Sequence, residues 1–120
     1  MVVGGTVYDT RTKLTWQRTP PTGTYAWADA KTYCASTVSA ALGGAGWRLP
    51  TIKELVTLID YTQTSGQTID QNAFPTTSQN FFWSSTPHAG SASSAWLVTF
   101  SQAAPAPASR TAAFGVRCVR

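Results

Sequence analysis

The stretch Gly46-Trp47-Arg48-Leu49-Pro50-Thr51-Ile52-Lys53-Glu54-Leu55 constrains the fold most. Its second half reads as a helix start. Thr51 stands at the N-cap, and Glu54, three residues on, can reach back to the Thr51 amide. That capping box satisfies two of the donors that a helix start leaves unpaired. Pro50 keeps Leu49 extended, so the boundary is sharp. Behind the cap, Ile52, Leu55, Val56, Leu58 and Ile59 recur at helical spacing, and the helix is expected over residues 51–60. In the first half, Trp47 offers a large apolar area and Arg48 a planar donor fork. The pair predicts an inward-packed Trp47, with Arg48 holding loop carbonyls or a carboxylate. The segment then fixes where the helix meets the rest of the fold.

Either side of this anchor the chain alternates between ordered and unpatterned segments. Residues 7–9 and 14–17 read as short strands joined by a polar turn, with Leu14 and Trp16 on the inward face. A helix is expected over residues 25–38, with Trp27, Ala30, Cys34 and Val38 on one face and Asp29 in its first turn. Residues 62–80 lose periodicity, and Ile69, Phe74 and Pro75 read as anchors of a long loop. Residues 81–85 and 94–100 read as neighbouring strands. In the second, alternation places Trp96, Val98 and Phe100 inward and Leu97 and Thr99 outward. The Ala103–Ala108 run, with Pro105 and Pro107 inside it, shows neither helix nor strand logic. A final strand is expected over residues 113–120, with Val116, Cys118 and Phe114 inward and Arg117 and Val119 on the other side.

A chain of 120 residues suits a single domain over residues 1–120 with its own core. Only 12% of its residues are charged, and Ser and Thr supply much of the polarity. The net charge of +4 is scattered, without a Lys/Arg run or a nucleic-acid motif, so no nucleic-acid partner is expected. No apolar stretch has the length of a membrane span, and the first residues lack the pattern of a signal peptide. Either a leader has been removed or the chain is a domain of a longer protein, so any leader or anchor is expected outside this chain.

Trp47-Arg48-Leu49-Pro50-Thr51, followed by Glu54-Leu55, resembles the signature of the DUF1566 domain. That bacterial family includes the C-terminal domain of the Legionella collagen-like adhesin. The later landmarks follow in family order: Asp9 to Gln17, Trp27 to Cys34, Ile69-Asp70, Phe74-Pro75, Phe82 to Thr86, Ala95-Trp96 and Val116 to Arg120. The resemblance covers nearly the whole chain. It implies an α+β, C-type-lectin-like fold: two helices packed on a small, twisted, mostly antiparallel sheet with long loops. It also implies an extracellular or cell-surface location, and it allows a trimer.

The two cysteines, Cys34 and Cys118, have two readings. The simpler is one disulfide between first helix and last strand; the other is two buried thiols. Lectin-like domains commonly carry such a staple, so the resemblance implies the disulfide and an oxidising compartment. Catalysis has little to work with. His88 is the only histidine, and no pair of carboxylates has a working spacing. Asp70 and Asn72 make a poor calcium site, because the ion wants six to eight oxygens and the sugar-binding triplets of calcium-dependent lectins are absent. No cofactor or metal is expected.

These readings point to a non-catalytic module that binds a protein or glycan on another cell or phage. The expected contacts are His88, Ser91, Ser93, Leu97, Thr99, Gln102, Arg110 and Thr111, on and around the Trp96 strand. The resemblance adds that some relatives are diversified by retroelements through adenine mutation. The Ala-, Ser-, Pro- and Thr-rich composition of residues 87–113 fits that set of codons, though it also fits plain surface loops. The alternative is a structural, trimerising C-terminal domain of a surface adhesin that binds sulfated glycans through basic residues. The hairpin cations Arg11, Lys13 and Arg18 are the competing site.

Overall fold

The computed structural model describes residues 2–3, 5–19, 23–59, 74, 81–100 and 102–120. Strand β1 (Val2–Val3) pairs with β2 (Thr6–Asp9), which pairs with β3 (Leu14–Gln17), all antiparallel. The β2–β3 turn forms because the Asp9 carboxylate accepts the amides of Arg11 and Thr12, while Lys13 takes the left-handed backbone that closes it. Trp16 on β3 is fully buried, as its alternation predicts.

Helix α1 (Trp27–Thr32) runs into a π-helical stretch (Tyr33–Val38) and then α2 (Ser39–Leu42). Together they extend past the expected end at residue 38 to a Gly43 with φ of 74°. The hydroxyls of Thr32 and Ser36 bond the carbonyls of Ala28 and Thr32, four residues back, and compete with the helical ladder. The face of Trp27, Ala30, Cys34 and Val38 is buried, as its spacing predicts.

Helix α3 (Ile52–Val56) has the predicted capping box. Thr51 Oγ1 accepts from the Glu54 amide at 3.2 Å, and Glu54 Oε1 accepts from the Thr51 amide at 2.9 Å. The helix is shorter than expected: Thr57, Leu58 and Ile59 donate to carbonyls three residues back, so the last turn tightens. Arg48 meets Glu54 through two contacts of 2.7 and 2.8 Å and the Leu49 carbonyl at 3.4 Å, one of each kind of partner expected for it. The segment is pinned on every side. Arg48 exchanges two backbone bonds with Val119, Pro50 O accepts from Ser85, and the Ile52 amide donates to Thr86 Oγ1. Trp47 is buried and donates to Gly43 O at 2.7 Å.

The Arg48 bond holds the Glu54 carboxyl below its ordinary value, and the same bond raises Arg48. A depressed carboxylate contributes stability above its unfolded pKa, near 4.5, which is lost as pH falls through the folded value. Glu54→Gln is therefore expected to cost about 1 kcal/mol at neutral pH, the size of a cap and an exposed ion pair. That difference should shrink as pH falls below 4.5 and vanish once the folded carboxyl is protonated, where both chains carry a neutral side chain. Thermal melts of both proteins at neutral pH and across the acid range provide the check.

Strands β4 (Phe81–Pro87), β5 (Ser94–Thr99) and β6 (Ala104–Ser109) form a second antiparallel sheet with β5 central. The architecture is thus α+β with two small sheets. β6 overturns the reading of residues 103–108 as unpatterned. Pro105 pairs with Val98 and Pro107 with Trp96, two residues apart on the edge strand. A residue without an N–H fits an edge strand where that N–H would face solvent. Ala-Pro-Ala-Pro alternation is therefore an edge-strand signal.

The outward placement of Leu97 and Thr99 is also overturned: both are buried. Period-two alternation yields one wet face only when a sheet is covered on one side. Here both faces are covered. Ala95 and Leu97 join Trp27, Cys34, Trp47, Trp83, Val116 and Cys118 in one core. Val98 and Phe100 join Trp16, Leu55, Phe82 and Val119 in the other. Trp96, expected in the core, is only half-buried.

The expected last strand is a seam rather than a strand. It bridges Tyr25 at Phe114, Phe82 at Gly115, and both Trp16 and Arg48 at Val119. Because it is enclosed on both sides, Gly115–Val119 are all buried, including Arg117 and Val119, which were placed on the side away from Val116 and Cys118. Burial pushes the Arg117 guanidinium down to about 9, so it is still a cation at neutral pH. It donates to the carbonyls of Gln17 and Arg18 and lies over Phe74 and Phe82. Cys34 and Cys118 form a disulfide, which ties helix to seam. Phe74 is buried, as an anchor should be. Ile69, Asp70, Asn72 and Pro75 lie outside the described residues.

Candidate ligand-binding surface

Antiparallel topology sorts the predicted contacts by the end of the β4–β5–β6 sheet on which they lie. The turn after β4 carries His88, Ser91 and Ser93, and the turn after β6 carries Arg110 and Thr111. Both turns leave the same end. Gln102 sits in the β5–β6 turn at the opposite end, exposed and apart from the others. Leu97 and Thr99 are inside. Five of the eight expected residues thus come together.

The two turns hold each other. His88 N donates to Ser94 O, and Ser91 N and Ser94 N close the turn onto His88 O and Ser91 O. Arg110 N donates to Ser93 O at 2.9 Å, and Arg110 Nε to Ser94 O at 3.0 Å. Ser91 and Ser93 share a hydroxyl–hydroxyl bond of 3.1 Å, and Ser109 and Thr111 share one of 2.9 Å. His88 lies against the half-exposed Trp96 with ring centroids 5.0 Å apart. Its Nδ1 is buried without a hydrogen-bond partner among the described residues. Gly90 lies against that imidazole, where a side chain would crowd it.

Arg110 is half-buried, with its guanidinium 4.3 Å from the centre of the Trp27 ring. Lys31 Nζ lies 3.9 Å from the same ring. Arg110 is the only formally charged residue between Asp70 and Arg117 in the sequence, but folding sets it against the same ring as Lys31. The Trp27–Lys31 half of this arrangement was readable as a four-residue helical spacing. The Arg110 half is a contact across the fold with no local signal. Trp27 itself is fixed by its indole N–H to Ser84 O at 2.8 Å and its amide to Arg110 O.

Of the competing hairpin cations, Arg11 and Lys13 are exposed at the β2–β3 turn, and Arg18 lies at the other end of β3. Among the described residues, no three His, Cys, Asp or Glu side chains gather as a metal site would need, and no helix is long and apolar enough to cross a membrane.

The family now follows from comparison with known proteins. The chain belongs to the Lcl C-terminal domain family, which it matches over residues 5–120. This agrees with the part of the resemblance that pointed to the C-terminal domain of the Legionella collagen-like adhesin. No curated protein matches this Lcl C-terminal domain.

Proposed function

We propose that this Lcl C-terminal domain is a non-catalytic binding module of a bacterial surface adhesin, taking an acidic glycan or protein at the paired turns. The observation that carries the reading is the convergence of Lys31 and Arg110 over one buried indole, beside turns bearing Ser91, Ser93, Ser109 and Thr111. Two fixed cations beside hydroxyl donors suit sulfate or carboxylate groups. The disulfide supports an extracellular or cell-surface location. The whole chain as one C-type-lectin-like, DUF1566-type domain belongs to the same reading. Retroelement diversification, where it operates, acts on the two turns, because the Ala104–Ser109 alternation has a structural cause of its own.

Binding to heparin fragments at two salt concentrations tests the site. Lys31→Ala with Arg110→Ala is expected to weaken binding about tenfold, each charge contributing roughly 0.5–1 kcal/mol, and to reduce its salt dependence. Arg11→Ala with Lys13→Ala should leave it unchanged. Loss of affinity in the hairpin pair alone would transfer the site to the hairpin.

A further inference from the structure

A second surface runs along the other flank of the long helix. Asp29, Tyr33, Thr37 and Ala41 follow one another at four-residue steps, with Tyr25 just ahead of the helix. In α geometry each such step overshoots a full turn by about 40°, so a row of this kind drifts around the helix. The wider turn of the π stretch Tyr33–Val38 opposes that drift, and the row stays on one side. Two hollows meet along it and share Tyr33 and Thr37. One, of ≈ 340 Å³, is bounded by Tyr25, Asp29 and Thr32. The other, of ≈ 150 Å³, reaches Gln17, Thr19 and Leu42.

The floor is aromatic and held in place. The Tyr25 and Tyr33 rings stack with centroids 5.0 Å apart and planes 29° off parallel. Tyr25 is fixed by two backbone bonds with Phe114 and by the Trp83 indole, which donates to its carbonyl at 2.8 Å. The Tyr33 hydroxyl is oriented by a chain of donors. Gln17 Oε1 accepts the Cys118 amide, which turns Gln17 Nε2 toward the phenol at 3.1 Å. The phenol oxygen is therefore an acceptor there, and its own proton is left to donate into the groove. Burial raises the Tyr33 pKa, so that proton is present at neutral pH. Asp29 stands exposed at the rim with no hydrogen bond or ion pair shown among the described residues.

These groups select a ligand by their chemistry. The outer face of a stacked ring pair takes an apolar C–H face, whereas a quaternary ammonium is held by rings that box it in. The Asp29 carboxylate accepts hydroxyl protons and repels sulfate and uronate. Lys31 and Arg110 lie over Trp27 and line neither hollow. We propose that the Tyr25–Asp29–Tyr33–Thr37 groove is a binding site for an uncharged hexopyranose, its C–H face on the tyrosines and its hydroxyls on Asp29, Tyr33 and Thr37. The groove is separate from the paired turns and stands without them.

The test is an NMR titration of the folded, disulfide-bonded chain with three probes: methyl β-galactopyranoside, methyl β-glucopyranoside and methyl α-mannopyranoside. At least one is expected to shift amides within residues 25–37 and leave those of residues 88–111 in place. Asp29→Asn and Tyr33→Phe should each weaken that binding about threefold to tenfold, the loss of one net hydrogen bond, and Tyr25→Ala should abolish it. Lys31→Ala with Arg110→Ala should leave it intact. Asp29 is exposed, so its variant keeps the test open should Tyr25→Ala fail to fold. The proposal is overturned if all three sugars leave the spectrum unchanged, or if binding survives Asp29→Asn and Tyr33→Phe undiminished. It is equally overturned if light scattering shows Tyr25→Ala dissociating an oligomer seated on the groove.

Discussion

Replacing Cys34 and Cys118 together by alanine is expected to lower stability by about 4 kcal/mol and the melting temperature by roughly 10–20 °C. The bridge spans 84 residues of sequence, so its loss returns a large loop-closure entropy to the unfolded chain. The folded state also loses something specific. Cys118 sits in the seam that joins the sheets, and its amide and carbonyl both bond Gln17. Without the bridge, the seam from Gly115 to Arg120 is held only by backbone bridges and the side chains buried beneath it. Hydrogen exchange there should rise more than exchange in β5. The double variant is preferable to reduction, because both sulfurs are buried and a reductant reaches them only on unfolding. A double variant melting with the wild type would show that the bridge contributes nothing to the fold.

What was legible in the sequence was mostly local, or forced by large residues. The Thr51–Glu54 capping box, the Asp9 turn and the inward face of Trp27, Ala30, Cys34 and Val38 each depend on spacings of a few residues. What was not legible depended on whether a face is covered. Leu97 and Thr99 alternate with Trp96 and Val98 in a pattern that reads as inside and outside. In fact it divides residues between two cores. The same enclosure hides Val119 and Arg117. No period in a short strand distinguishes one covered face from two.

The β6 strand shows how one misreading propagates to the site. Once Pro105 and Pro107 are taken as strand breakers, the segment from Gln102 to Arg110 becomes one loop and all its polar residues become neighbours. With β6 in place, antiparallel pairing sends Gln102 to one end of the sheet and Arg110 to the other. His88, Ser91, Ser93, Arg110 and Thr111 converge because the turn after β4 and the exit from β6 share an end. The approach of Arg110 to the Trp27 ring, and of Gln17 to Tyr33, crosses the fold and has no local signature.

Trp83→Ala is expected to cost about 3–5 kcal/mol, the range for a large aromatic removed from a tightly packed core. Trp83 is fully buried in the core that also holds the disulfide, with its ring edge-on to Phe114 at 5.1 Å. Its indole has a reciprocal partner. Trp83 Nε1 donates to Tyr25 O while Trp27 Nε1 donates to Ser84 O, both at 2.8 Å. Two adjacent residues of β4 are thus cross-strapped to the start of α1. Trp83→Phe separates the contributions. It keeps most of the ring packing but drops the donor, and it should cost about 1–2 kcal/mol from the lost bond and the smaller ring. The phenylalanine variant should also loosen Tyr25, whose carbonyl the indole holds, and so weaken the aromatic floor of the groove before the fold fails. Denaturant unfolding gives both free energies, and the Tyr25 ring resonances report the local effect. Equal losses in the two variants would mean that the strap, rather than ring volume, dominates at this position. A Trp83→Ala loss below about 1 kcal/mol would place the indole outside the packed core.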